Sequence, residues 1–241
     1  MNEFREKLIV ALDVDSAEQA LDLVKLLSPW VGMFKIGMQL FYGQGPAVVE
    51  ELCRQGVKVF LDLKLHDIPN TVAQAARVLT RLGVAMFNVH AAGGSAMMRA
   101  AVESSREEAE ILGIPCPLII AVTVLTSIDQ PAFDRELGYT GTIADRVVAW
   151  ALLAKECGLD GVVASAREAV AIRQSCGPDF LIVTPGIRPA GVTGRDQKRI
   201  VTPAGAMAAG ANYLVVGRPV ISAPDPVKAV RVILDEMGSS V

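Results

Sequence analysis

Eight short apolar runs, each followed by a longer helical pattern, recur along the whole chain and restrict the folds open to it. The runs are LIVALDV (8–14), MFKIG (33–37), KVFLDLKL (58–65), AMFNVHA (85–91), PLIIAVTVL (117–125), DGVVAS (160–165), FLIVTPGI (180–187) and NYLVVGR (212–218). Each reads as a strand. Asp15 and Ser16 offer an N-cap to AEQALDLVKLL, whose Ala17, Leu21 and Val24 fall on one helical face. A helix is expected near 46–55, and Pro69 with Asn70 opens another. A long polar, Gly-bearing stretch runs from the fifth strand to about Thr142, and a Gly-, Arg- and Pro-rich loop runs from the seventh to Val201. Near-continuous apolar strands suit a parallel sheet covered on both faces. Composition agrees: 51% of residues are hydrophobic but only 5% aromatic, so the apolar mass is Val, Ile, Leu and Ala. Eight strand–helix units without a break predict a closed (β/α)8 TIM barrel, one domain over residues 1–241. A doubly wound sheet does not require eight units, and no GxGxxG follows the first run.

The formal net charge is -3 and no Lys/Arg-rich run occurs, which argues against nucleic acid or an anionic membrane surface as partner. A small anion remains compatible, because a few local cations outweigh a mildly acidic whole. The four cysteines are widely spaced and only two histidines exist, so no zinc site or disulfide framework is expected, and buried reduced thiols are the default. The N-terminal stretch reads as neither signal peptide nor membrane span, and no apolar stretch of about 20 residues follows. A cytoplasmic location is expected.

In a barrel of this kind, chemistry gathers at the C-terminal strand ends. Asp13 ends the first strand, Lys35 interrupts the second, and Asp62 and Lys64 alternate with leucines in the third. Period two directs Asp62 and Lys64 to one face, the barrel interior if the leucines pack on helices. Asp67 follows just beyond, His90 ends the fourth strand, and Thr123 and Thr126 end the fifth. Each alone has an ordinary explanation: a strand-end Asp caps a loop, an Asp/Lys pair is a structural ion pair, and His90 is read as a wall residue. Their convergence at one end is what counts. Buried charge is costly unless paired, and alternating Asp and Lys in a confined site pair while creating a strong local field. A second cluster lies in the seventh and eighth loops, where TPGIRPAG (184–191) supplies Arg188, Gln197 follows, and VVGRPV supplies Gly217 and Arg218. Phosphate binds at this position in many such barrels. Gly217 permits close backbone approach, and Arg218 offers a forked donor for phosphate oxygens.

The segment DLKLHDIPNT (62–71) resembles the DxKxxDIPxT pattern of the orotidine 5'-phosphate decarboxylase family. LDVD, FKIG, AVTVLTS, PGIRP and VVGRPV match that family in order, so the resemblance covers essentially the whole chain. It implies decarboxylation of orotidine 5'-monophosphate to UMP and CO2, the last step of de novo pyrimidine nucleotide synthesis, with no cofactor and no metal. Lys64 then resembles the proton donor to pyrimidine C6, and Asp62 the carboxylate beside the substrate carboxylate. Asp67 resembles a residue given across a homodimer interface, and Thr71 a ribose contact from the partner. Asp13 and Lys35 resemble ribose-hydroxyl contacts within the charged network, and Ser127 the pyrimidine-binding position. Gln197, Gly217 and Arg218 resemble the phosphate grip, with Arg188 nearby. Ile68, Thr126 and Pro185 join the implied substrate contacts. The long loops after strands five and seven fit the family's moving phosphate-side lid. A rival is a Mg²⁺-dependent sugar-phosphate lyase of the same superfamily, which shares DxKxxD but typically carries an acid where Lys35 stands. A non-catalytic phosphate sensor would account for Gly217 and Arg218 but not for the Asp/Lys cluster.

Overall fold

The computed structural model describes residues 3–189 and 201–239. Its strands are β1 (Leu8–Ala11), β2 (Met33–Gly37), β3 (Val59–Leu65), β4 (Met86–His90), β5 (Leu118–Val122), β6 (Gly161–Val163), β7 (Leu181–Thr184) and β8 (Tyr213–Val216). Each pairs in parallel with the next, and β8 closes on β1. The expected (β/α)8 barrel is the architecture. The strands are shorter than the apolar runs because the chain leaves the ladder before the apolar character ends. Asp13 therefore lies two residues past β1, and Gly217 and Arg218 lie past β8.

The helices are α1 (Ala17–Leu27), α2 (Met38–Gln44), α3 (Ala47–Arg54), α4 (Pro69–Arg81), α5 (Gly94–Leu112), α6 (Gln130–Arg135), α7 (Ile143–Glu156), α8 (Ala166–Cys176), α9 (Pro203–Ala208), α10 (Arg218–Ile221) and α11 (Pro226–Gly238). Ser16 caps α1 as expected, its side chain accepting from Gln19 N–H at 3.2 Å. Three helices depart from the sequence reading, one of them the four-residue α10, where only a loop after the eighth strand was expected. One helix was expected after β2, but α2 precedes α3, the two parted by Gly45 and Pro46. The polar stretch after β5 contains α6, whose N-cap Asp129 accepts from Ala132 N–H at 3.1 Å. Among the described residues, no helix is long and apolar enough to cross a membrane.

Alternation along the strands divides the core in two. Ile9, Met33, Phe60, Met86, Ile120, Val183 and Val215 point inward and fill the barrel. Their neighbours, among them Val10, Phe34, Leu61, Phe87 and Leu214, point outward and pack beneath the helices. Burying each such side chain contributes roughly 1.5–3 kcal/mol. Cys157 and Cys176 are buried as expected, whereas Cys116, at the entry to β5, is exposed. All four cysteines are free.

Candidate active site

On β2 and β3 the inward-facing row carries apolar side chains at the bottom of the barrel and polar ones at its C-terminal mouth. On β2, Met33 is followed two residues later by Lys35; on β3, Phe60 is followed by Asp62. The register Lys35↔Phe60 and Gly37↔Asp62 brings these side chains together. The Lys35 ammonium lies 3.2 Å from Asp13 Oδ1 and 3.4 Å from Asp62 Oδ2. The Lys64 ammonium lies 2.7 Å from Asp62 Oδ1. Asp13, Lys35, Asp62 and Lys64 thus form one chain of alternating charge. Burial alone would push the Asp62 carboxyl up, but the ammoniums of Lys35 and Lys64, with hydrogen bonds from Lys64 and Asn88, hold it below the usual carboxylate range.

Lys64 reaches this position through a break in the sheet. Leu61 pairs with Phe87 and Leu65 with Val89, so three residues of β3 face the single Asn88 of β4. Lys64 has φ +54°, the one positive φ among described non-glycine residues. That conformation costs about 1–3 kcal/mol and persists only where its surroundings enforce it. Asn88 was absent from the sequence reading. It is 1% exposed, its Oδ1 accepts from Lys64 N–H at 2.8 Å, and its Nδ2 donates to Asp62 Oδ1 at 2.7 Å. The available signal was a lone amide between Phe87 and Val89 in an apolar strand.

Two glycines make room for the charged chain. A Cβ on Gly37 would lie 2.9 Å from the Lys35 ammonium and 3.3 Å from Asp13 Oδ1. One on Gly217 would lie 3.2 Å from Asp13 Oδ2, so this glycine also serves the carboxylate packed on it, beyond the ligand approach expected from sequence.

Two adjoining cavities open above the charges and share Lys35, Asp62, Pro185 and Val215. The first, about 290 Å³, has Asp62 and Lys64 at one side, apolar walls that include Phe60, Val122, Val163 and Val183, and Thr126 and Ser127 on its lining. The second, about 210 Å³, is lined by Asp13, Gly186, Arg188, Gly217 and Arg218. Arg188 is buried, and its Nη1 donates to Ile187 O at 3.1 Å. Arg218 is exposed and begins α10. Asp67, Ile68 and Thr71 line neither cavity. They lie on an exposed segment entering α4, where the Asp67 carboxylate accepts from Ile68 N–H at 2.6 Å. Gln197 and most of the seventh loop lie outside the described residues.

His90 stands beside His66 with ring centroids 5.2 Å apart. Burial, reinforced by the charges of His66 and Lys64 and opposed by Asp62, lowers its pKa to about 4. The folded chain therefore keeps His90 neutral where the unfolded chain, with the ordinary value of 6.5, takes a proton. Stability from this group is present above pH 6.5 and is lost as pH falls toward 4. The lowered Asp62 contributes in the same sense at lower pH. His90→Asn is expected to flatten the slope of Tm against pH across that window. A variant slope equal to that of the parent would assign the acid sensitivity to other groups.

Comparison with known proteins agrees with this geometry. The family model described as "Orotidine 5'-phosphate decarboxylase / HUMPS family" matches residues 6–233. An orotidine 5'-phosphate decarboxylase of Moorella thermoacetica is 57% identical over 233 residues, covering 97% of this chain and 92% of the relative. One of Syntrophomonas wolfei is 57% identical over 234 residues, covering 97% and 98%. The crystal structure of orotidine 5'-phosphate decarboxylase from Lactobacillus acidophilus superposes with a TM-score of 0.80 at 41% identity, covering 95% of this chain and 98% of that one. With the barrel closed, the charges assembled at its mouth and the match spanning nearly every strand and helix, this chain belongs to the orotidine 5'-phosphate decarboxylase / HUMPS family.

Proposed function

We propose that this chain removes CO2 from orotidine 5'-monophosphate to give UMP, in pyrimidine nucleotide synthesis, with no cofactor. The observation that carries the reading is Asp62, a largely buried carboxylate with a different lysine ammonium on each oxygen, at the side of an apolar cavity. The pyrimidine occupies that cavity, with Thr126 and Ser127 at its polar edge and its carboxylate beside Asp62. The phosphate occupies the second cavity with Arg188, Gly217 and Arg218; the family resemblance adds Gln197, which lies outside the described residues. Asp13 and Lys35 meet the ribose hydroxyls, which lie between. When the C6–carboxylate bond breaks, its electron pair stays on C6 as an sp² carbanion with no adjacent electron sink. The Lys64 ammonium stabilises that charge, then gives C6 its proton and regains one from solvent. The phosphate is remote from the reacting bond, and its binding energy holds the charged network in place.

The active unit in this reading is a homodimer. Ile68 is 66% exposed beside Asp67 and Thr71, a large apolar side chain in water that a partner's barrel mouth would cover. Asp67 then completes the charge chain of the neighbouring site. Residues 1–241 act as one catalytic unit, and the free cysteines suit the reducing cytoplasm.

The Mg²⁺-dependent relatives are disfavoured by the same ion pairs. Both oxygens of Asp62 already face ammoniums, and Lys35 would repel a divalent cation. UMP formation from orotidine 5'-monophosphate is therefore expected to be unchanged by excess EDTA. Activity abolished by EDTA and restored by Mg²⁺ would move the assignment to a metal-dependent sugar-phosphate lyase.

A further inference from the structure

The bulge in β3 leaves a problem of backbone chemistry. Where three residues face one, the extra residues lose their ladder partners, and a buried N–H without an acceptor is strongly disfavoured. Within the bulge lies Lys64 N–H, on the residue whose φ is +54°. The Asn88 side chain supplies its acceptor at 2.8 Å. With its other amide atom it donates to Asp62 Oδ1 at 2.7 Å, the oxygen that also faces the Lys64 ammonium. One buried side chain therefore holds the Lys64 backbone and the Asp62 carboxylate at once. A primary amide is suited to this because it carries an acceptor and a donor on one rigid plane. An ionised carboxylate has no donor and would repel Asp62. Serine offers one hydroxyl on a shorter arm. Asn88 lines neither cavity, so it acts through its two neighbours and does not touch substrate.

We propose that Asn88 is a positioning residue that locks the β3 bulge and thereby aims the Lys64 ammonium at Asp62 and at the reacting carbon. The proposal rests on the reading of Lys64 as proton donor.

The test compares Asn88→Ala, Asn88→Asp and Asn88→Ser with the parent and with Lys64→Ala, using orotidine 5'-monophosphate. Thermal unfolding first establishes which variants are folded at the assay temperature. In Asn88→Ala the lysine is released from its fixed geometry, and kcat is expected to fall about 10²-fold, the size typical of misplacement by about 1 Å. KM should move only a few-fold, because Arg188, Gly217 and Arg218, which hold the phosphate in this reading, line a cavity that Asn88 does not, and the Asn88 amide bonds Lys64 and Asp62. Asn88→Ser replaces Asn88→Ala if the latter does not fold, with the same expectation. Asn88→Asp gives a signature that a purely structural role would not. At neutral pH its carboxylate repels Asp62, and kcat falls at least as far as in Asn88→Ala. Two carboxylates in contact share a proton at raised pKa, and the protonated form again donates to Asp62 while accepting from Lys64 N–H. The ratio of Asn88→Asp to parent kcat should therefore rise as pH falls, by up to about tenfold per pH unit. The ratio for Asn88→Ala should not. Folded Asn88 variants with parental kcat, a loss confined to KM, or a flat Asn88→Asp ratio would overturn the proposal. Lys64→Ala separates the two readings. If it is as active as the parent, the proton-donor reading fails; if it is inactive while folded Asn88 variants keep parental kcat, only the Asn88 proposal fails.

Discussion

Lys64→Ala is expected to leave the barrel folded and to lower kcat by at least about 10⁴-fold, combining loss of a fixed electrostatic stabiliser (about 10²–10³) with loss of a general acid (about 10²–10⁴). The fold should survive for three reasons. Asp62 keeps the Lys35 ammonium at 3.4 Å and the Asn88 amide at 2.7 Å, so no buried charge is orphaned. Alanine meets the same positive-φ cost as lysine, since both carry a Cβ. The Lys64 side chain is 28% exposed at the barrel mouth, and its removal leaves a gap that water fills. Both kcat and kcat/KM should drop together, the pattern for an interaction made in the transition state. Circular dichroism and single-turnover assays of UMP formation check the two halves of this expectation. A folded variant with near-parental turnover would remove Lys64 from the chemistry.

The second large effect concerns Asp67. Its carboxylate is exposed and lines neither cavity, although the family pattern makes it part of the charged network. A partner chain resolves that conflict if Asp67 serves the neighbouring site. Asp67→Ala and Lys64→Ala should each be nearly inactive alone. Mixed in equal amounts with free subunit exchange, half the dimers are mixed, and each has one site built from an intact Lys64 and an intact Asp67. About a quarter of parental activity should then reappear, as two-fold symmetry with shared sites requires. No recovery after exchange is verified, for instance by mass spectrometry of differently tagged chains, would mean that Asp67 serves its own chain.

The elements of the fold and of the site differ in how legible they are in the sequence. The eight strands were legible because parallel strands buried on both faces are written as continuous apolar runs. Lys35 and Asp62 were legible because each interrupts such a run at an inward position two residues above Met33 and Phe60. Lys64 was found for a reason the structure modifies. Period two places it on the face of Asp62, but the bulge breaks that period, and the ammonium returns to Asp62 through a left-handed backbone. A bulge depends on pairing with a strand more than twenty residues away, and local sequence does not record that pairing. Asn88 was missed on the same ground, since its importance lies in what faces it. The helices α2 and α6 were missed because each is short, and α6 sits in a polar stretch where its Asp129 cap was the main signal. The apolar lining of the larger cavity was not singled out either, because Val122, Val163 and Val183 read as ordinary strand residues.

In the proposed reaction this site generates a C6 carbanion and Lys64 handles its proton. By microscopic reversibility the same lysine, in its neutral form, must remove the C6 proton of bound UMP. Incubating the protein with UMP in D2O and following C6 by proton NMR tests this without any decarboxylation. The C6–H signal should be lost at a rate that depends on protein concentration, with no exchange in folded Lys64→Ala. Absence of exchange in the parent with UMP demonstrably bound, or equal exchange in both proteins, would contradict it.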